Sequence, residues 1–65
     1  MRYEVIRFKK GYIILVSYPA GGFAGYVKDR TNLSVLVRQK SEADLFDFDY
    51  EAEAAISGGT ASAAP

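Results

Sequence analysis

The stretch that decides the fold is YIILVSY, residues 12–18, the strongest strand candidate in a chain of 65 residues. It is rich in β-branched and aromatic residues, and its apolar side chains fall at both odd and even positions. A strand of this kind belongs in the middle of a sheet whose two faces are both at least partly covered. Residues 12–18 therefore predict a central β-strand around which the rest of the chain is arranged.

Three further segments have strand composition, and turn residues separate them. Proline presets φ and glycine permits positive φ, while aspartate and asparagine satisfy local backbone groups, so each separator is suited to a tight turn. The strands are residues 3–8, 23–28 and 33–38, and the turns are residues 9–11, 19–22 and 29–32. Short strands joined by short turns predict an antiparallel β-meander.

The segment 41–56 fits two interpretations, of which the first is a single helix. Ser41 and Asp44 resemble a capping box, and an apolar stripe follows at helical spacing.

The second interpretation is a strand followed by a helix, and it is the one we favour. Phe46, Phe48 and Tyr50 alternate strictly with acidic residues, which is the period of a strand. The alanine-rich sequence YEAEAAI then forms the helix, with Asp49 as its N-cap. A fifth strand carrying Asp47 and Asp49 would lie beside the fourth strand and pair its charges with the bases at residues 38–40.

The predicted fold is an α+β domain: an antiparallel β-meander of four to five strands followed by one short C-terminal helix against one face. The domain is expected to span residues 1–57, with Gly58 as the helix C-cap and residues 58–65 as a disordered tail. The residues expected in the core are Val5, Ile14, Val16, Val27, Val35, Val37, Leu45, Phe48 and Ile56.

The amino-acid composition excludes most classes of catalytic mechanism. The chain has no Cys, His or Trp, so thiolate and imidazole catalysis, disulfides and zinc–sulfur sites are excluded. The acidic run after residue 43 lacks the glycine and final glutamate of a calcium-binding loop, and solvated carboxylates make poor catalysts. We predict no enzymatic activity, no cofactor and no metal. Because no apolar run approaches membrane-spanning length, we also expect no membrane partner and a cytoplasmic location.

Charge is separated along the chain although the net charge is zero. Residues 1–40 hold all eight bases and two acids, a net charge of +6, and residues 41–65 hold six acids and no base, a net charge of −6. A displayed row of acids steers association with a basic surface. One short helix covers only one face of the sheet, so the other face offers apolar contacts. These features favour a binding protein whose partner is another protein, and the small core also favours a homodimer.

The residues predicted to contact a partner form an acidic and an aromatic group. They are Asp44, Asp47, Asp49 and Glu51, with Tyr12, Tyr18, Phe23 and Tyr26. The alternative is a nucleic-acid-binding module, because aromatic faces stack bases while Arg and Lys neutralise phosphates. The sequence pI of about 6.1 weighs against that alternative.

The sequence LFDFDYEAEAAI, residues 45–56, resembles a pattern of small phage and mobile-element proteins, some anti-CRISPR proteins among them. In that pattern a β-meander ends in an F-D-type turn that passes straight into a short Ala/Glu helix. The resemblance implies a non-catalytic inhibitor or accessory protein that occupies a working surface of a host protein. It assigns no functional residue, because such proteins share no common site.

Overall fold

Four antiparallel strands in chain order form the sheet. In the computed structural model, which describes residues 1–61, they are β1 (Arg2–Phe8), β2 (Gly11–Ser17), β3 (Phe23–Asp29) and β4 (Asn32–Val37). Each strand pairs with the next, so the order is β1-β2-β3-β4 and the YIILVSY strand is an inner one. A 3₁₀ turn at Lys40–Glu42 and the helix α1 (Asp49–Ala61) follow. The predicted α+β class, the meander and the C-terminal helix are confirmed.

The register divides the side chains of the sheet between two faces. Val5 pairs with Ile14, and Val16 with Gly25, so these residues share one face with Val27. On this covered face, Ile14, Val16 and Val27 form a buried cluster with Phe46 and Ala52 of the C-terminal part. The helix α1 packs on the same side, against β1, β2 and β4.

The opposite, open face has no helix over it. Its large apolar residues are Ile6, Phe8, Ile13, Leu15, Phe23, Tyr26, Val35 and Val37, as the pairing register places them. Ile13 in the central strand is fully buried, but Phe23 and Val35 are exposed. The sheet is therefore sealed on one side by the chain itself and only partly shielded on the other.

A short extended segment, residues 44–46, fills a gap between β2 and β3. These strands pair directly only over Leu15–Ser17 and are not paired nearer the β2 start. There, Tyr12 and Phe46 exchange two backbone hydrogen bonds of 2.8 Å, and the Asp44 N–H donates to the Val27 carbonyl at 3.0 Å. We call residues 44–46 the insert. The insert brings Phe46 into the core, where 1% of its surface is accessible.

The predicted fifth strand beside β4 is wrong, and so is the single helix from Ser41. Phe46 forms one isolated bridge to β2, and α1 begins only three residues later. The period-two pattern at residues 46–51 ends at residue 48, because residues 49–51 already belong to the helix.

The two ends of α1 also differ from prediction. Phe48, not Asp49, takes the N-cap position: its N–H donates to Glu51 Oε1 at 3.2 Å, and its carbonyl accepts the Glu51 N–H at 3.1 Å. Glu51 thus caps the helix from the third helical position, as in half of a capping box. Gly58 does not terminate the helix, because it lacks the positive φ of a glycine C-cap. Residues 58–61, predicted as tail, continue the helix; the remainder of the predicted tail, residues 62–65, lies outside the described residues.

The predicted core is correct for three residues of the inner strands β2 and β3. Ile14, Val16 and Val27 are buried, while three other predicted core residues are only half-buried: Val5, Val37 and Ile56. Three predictions are wrong, since Val35, Leu45 and Phe48 are exposed. Val35 lies on the open face, and Leu45 flanks Phe46, which takes the inward position in the insert.

Candidate functional site

The eight predicted contact residues occupy four separate places. Asp44 lies in the insert, and the other three acids lie at the start of α1, with Tyr12 nearby on the covered face. Tyr18 is in the β2–β3 turn, and Phe23 and Tyr26 are on the open face. The acidic and aromatic groups therefore do not form one continuous surface.

Asp44 is engaged inside the domain by Arg30 of the β3–β4 turn. Its two carboxylate oxygens accept hydrogen bonds of 2.8 Å from Nε and Nη2 of Arg30, and Oδ2 also accepts the Arg30 backbone N–H at 3.0 Å. The side-chain hydrogen bond from Arg30 is the largest cause that lowers the pKa of Asp44. The same bond raises the pKa of Arg30. Asp44 is thus held within the domain by Arg30, and its predicted contact with a partner stays a prediction.

Arg30 also holds the rest of the insert. Its Nη2 donates to the Leu45 carbonyl at 3.1 Å, and its guanidinium carbon lies 4.3 Å from the centroid of the Phe46 ring. A guanidinium over an aromatic face is favourable, and a planar fork suits a carboxylate. We call this set of contacts the Arg30 clasp. It fixes the insert, which ends three residues before α1 begins.

The acids at the start of α1 are directed to solvent. Asp47, Asp49 and Glu53 are exposed, and Glu51 is half-buried with its carboxylate on the Phe48 N–H. Among residues 1–61 the only ion pair is Arg30–Asp44, so none of these four carboxylates has a salt-bridge partner within the described chain. Negative charge near a helix N-terminus is favourable by itself, so these acids need no basic neighbour.

A groove runs between the edge strand β1 and α1. Its volume is about 530 Å³, and one wall comes from the strands while the other comes from α1. The lining residues are Tyr3, Glu4, Val5, Arg7, Tyr12, Asp49, Glu53, Ile56 and Ser57. The Arg7 guanidinium lies 5.5 Å from the Tyr12 ring centroid and is the single base of the lining. We call this feature the β1–α1 groove.

The groove contains two of the predicted contact residues, Tyr12 and Asp49, and others that the sequence did not single out. Glu53 follows Asp49 by four residues, which places both carboxylates on one stripe of a helix. This i, i+4 spacing is visible in the sequence and could have indicated that the two carboxylates lie side by side. Tyr3 and Arg7 could not be assigned to the groove in advance, because only the packing of α1 shows which face of β1 it covers.

The aromatic residues of the open face make local contacts. The rings of Phe23 and Tyr26 are tilted against each other with centroids 5.1 Å apart. The Lys9 ammonium lies 5.3 Å from the Phe8 ring centroid at the other end of the sheet. Aromatic rings with adjacent bases can stack on flat ligands or pack against apolar side chains.

Metal and membrane features were sought in the described part of the chain. No group of three or more acidic side chains within residues 1–61 is arranged to hold a metal ion. No helix there combines the length and the apolar composition of a membrane span.

Comparison of the chain with protein-family models, with curated proteins and with solved structures gave no match.

Proposed function

We propose that this chain is a non-catalytic binding domain that docks on a protein partner with a basic surface. As the resemblance at residues 45–56 implies, its role would be that of a phage or mobile-element inhibitor or accessory protein. The docking surface is the β1–α1 groove together with the exposed start of α1.

One observation carries this proposal: the groove is concave, partly apolar and lined by carboxylates without ion-pair partners. Asp49 and Glu53 oppose a single base, Arg7, which gives these groove side chains a net charge of −1. Glu4 also borders the groove, but its pairing with Leu15 places its side chain on the open face. Uncompensated charge on a rim raises the rate of association with a surface of the opposite sign. Tyr3 and Tyr12 add amphipathic contact area, and such aromatic residues are enriched at protein interfaces.

The test is affinity capture with a charge-reversed groove variant and a charge-altered control outside the groove, followed by reconstitution. The wild-type chain and Asp49→Lys/Glu53→Lys are used as baits in a lysate of the source organism, with Lys28→Glu as a charge-altered control outside the groove. A protein retained by wild type and by Lys28→Glu, but not by the double variant, is then purified and titrated. We expect at least tenfold weaker binding by the double variant. Equal retention on all three baits would refute docking through the groove.

The nucleic-acid alternative has one specific observation in its favour. The acids of α1 lie on the layer opposite the open face, so they do not repel phosphate from it. The open face carries Phe8, Phe23 and Tyr26, with Arg2 at one end and Glu4 two residues along on the same face. This is a stacking surface with nearby bases, as single-strand-binding proteins use.

Fluorescence anisotropy with labelled single-stranded DNA and RNA tests this alternative. Binding should fall steeply as salt is raised from about 50 to about 200 mM, because phosphate contacts release counterions. Phe23→Ala should weaken binding, whereas Asp47→Asn should not. A flat salt dependence, or no binding at micromolar protein, removes the alternative and leaves the protein-binding proposal unaffected.

A further inference from the structure

We propose that the free edge of β1 accepts an extended segment of the partner as an added antiparallel strand, with a basic side chain directed into the β1–α1 groove. This inference rests on the proposed function and specifies how the partner binds. Three features of the structure support it: the hydrogen-bonding state of the edge, the side on which the groove lies, and its charge.

The backbone of β1 has outward-facing hydrogen-bonding groups that no described residue satisfies. The N–H and carbonyl of Tyr12 are used by Phe46, on the side of β2 away from β1. The Arg7–Tyr12 pair is therefore a non-hydrogen-bonded pair of the β1–β2 ladder, and the Arg7 backbone groups point to the free edge. The alternation of an antiparallel ladder gives Tyr3 and Val5 the same outward direction.

The three outward-facing residues are also the ones that line the groove. Tyr3, Val5 and Arg7 have their side chains on the covered face, and all three are groove residues. In an antiparallel ladder, directly opposed residues share a face. Each residue of an added strand that hydrogen bonds to Tyr3, Val5 or Arg7 would therefore direct its side chain toward α1. The same alternate residues of the added strand would therefore form the backbone hydrogen bonds to β1 and place their side chains in the groove, as in other strand-addition sites.

Charge selects a basic segment for the groove. The helix wall presents Asp49 and Glu53, one turn apart, followed by Ile56 and Ser57. Arg7 is directed over the Tyr12 ring within the sheet. A lysine or arginine at an alternate position of the added strand would face the two carboxylates, and an apolar residue at a neighbouring alternate position would pack on the apolar part of the wall.

The probe is a fluorescein-labelled blocked heptapeptide, TKTVTKT, whose lysines and valine occupy alternate positions. Fluorescence polarisation measures its affinity for the full chain. N-methylation of the lysine and valine amides should weaken binding at least tenfold, because these amides face β1. N-methylation of the inner threonine amides is the matched control and should change affinity less than twofold. The peptide TETVTET should bind at least tenfold more weakly than TKTVTKT.

Variants of the protein measure how much the acidic side chains of the groove contribute to peptide affinity, independently of the backbone hydrogen bonds. Asp49→Asn/Glu53→Gln should weaken binding of TKTVTKT about five- to tenfold at low salt and much less at high salt, because exposed charges are screened. Asp47→Asn removes an exposed acid outside the groove and should leave the affinity unchanged.

The outcomes distinguish the strand-addition inference from the function on which it depends. Binding that needs the two acids but tolerates every N-methyl group overturns strand addition and leaves groove docking intact. If TKTVTKT does not bind at about 1 mM while capture of a protein partner still depends on Asp49 and Glu53, strand addition is likewise overturned and groove docking remains intact. A dimer in sedimentation, together with loss of peptide binding at the protein concentrations where the dimer forms, assigns the edge to a second copy and overturns the inference. Binding unaffected by the acid variants in both assays refutes the proposed function as well.

Discussion

The close approach of the insert to Gly11 gives the sharpest stability prediction. A Cβ built on Gly11 would fall inside the van der Waals contact distance of the Phe46 carbonyl oxygen, and 3.0 Å from two carbon atoms of Leu45. The obstacle is backbone, which cannot turn aside as a flexible side chain would. The change Gly11→Ala should therefore push the insert away from β2.

The expected cost follows from the contacts that this displacement breaks. Two backbone hydrogen bonds between Tyr12 and Phe46 are lost, at about 1 kcal/mol each. Half-exposing the Phe46 side chain forfeits about 1–1.5 kcal/mol of apolar burial. The smaller conformational freedom of alanine in the unfolded chain returns about 0.5–1 kcal/mol. The net loss of unfolding free energy is about 2–3 kcal/mol, a large part of the roughly 3–10 kcal/mol expected for a chain of this size.

Urea denaturation followed by circular dichroism measures this loss. With a slope of about 1 kcal/mol per molar urea, the midpoint of Gly11→Ala should fall by about 2–3 M, or the variant should be unfolded without urea. Gly58→Ala is the matched control, because a Cβ there meets nothing within 4 Å and the residue lies in α1. Alanine should stabilise that helix by up to about 1 kcal/mol. A Gly11→Ala midpoint within error of wild type would refute the proposed packing of the insert.

Three further predictions concern the clasp and the β3–β4 pair. A double-mutant cycle with Arg30→Ala and Asp44→Asn should give a coupling energy of about 1 kcal/mol by urea denaturation: the pair is bidentate, but the Arg30 side chain is 45% exposed. Additive single-variant effects would contradict the clasp. Because the pKa of Asp44 is lowered on folding, its contribution is fully present above the unfolded pKa of about 3.9 and is lost as pH falls through the folded pKa. The wild-type midpoint should therefore drop more than that of Asp44→Asn between pH 5 and about pH 2–3, and parallel pH profiles would count against this account. Gly25→Ala should cost about 1–3 kcal/mol by thermal unfolding, since Gly25 has φ +154° and a Cβ would lie 2.9 Å from Leu36 Cβ; an unchanged Tm would contradict that close approach.

Local signals predicted the sheet well because strands and turns are encoded over a few residues. The YIILVSY strand, the glycine-rich turn at residues 19–22 and the burial of Ile14, Val16 and Val27 all follow from patterns inside one segment. The helix was also predicted, but its N-cap was placed one residue late and its end four residues early. The position of a helix end depends on which side chain or backbone group satisfies the unpaired backbone groups there. In this helix the Glu51 carboxylate accepts the Phe48 N–H, which makes Phe48 the N-cap.

Contacts between segments that are distant in the sequence could not be predicted from local sequence patterns. The sequence indicated that an acidic segment follows a basic one, and it predicted pairing of Asp47 and Asp49 with bases near residue 39. The structure instead pairs Asp44 with Arg30, fourteen residues away, and places Phe46 rather than Phe48 in the core. Phe46 and Phe48 would face the same side of a continuous strand, but the extended segment ends at Phe46, and Phe48 takes the N-cap position of α1 and is exposed. No local pattern at residues 45–48 fixes where the extended segment ends.

The sequence by itself therefore determined the strands, their antiparallel order, the presence of a C-terminal helix and the separation of charge along the chain. The tertiary structure alone decided which acid is structural, which face of the sheet α1 covers, and that Tyr3 and Arg7 of β1 share a groove with Asp49 and Glu53. The reason is physical: strand and turn preferences act between neighbouring residues. The insert is positioned by the gap between β2 and β3 and by the reach of the Arg30 guanidinium, which exist only once the sheet has formed.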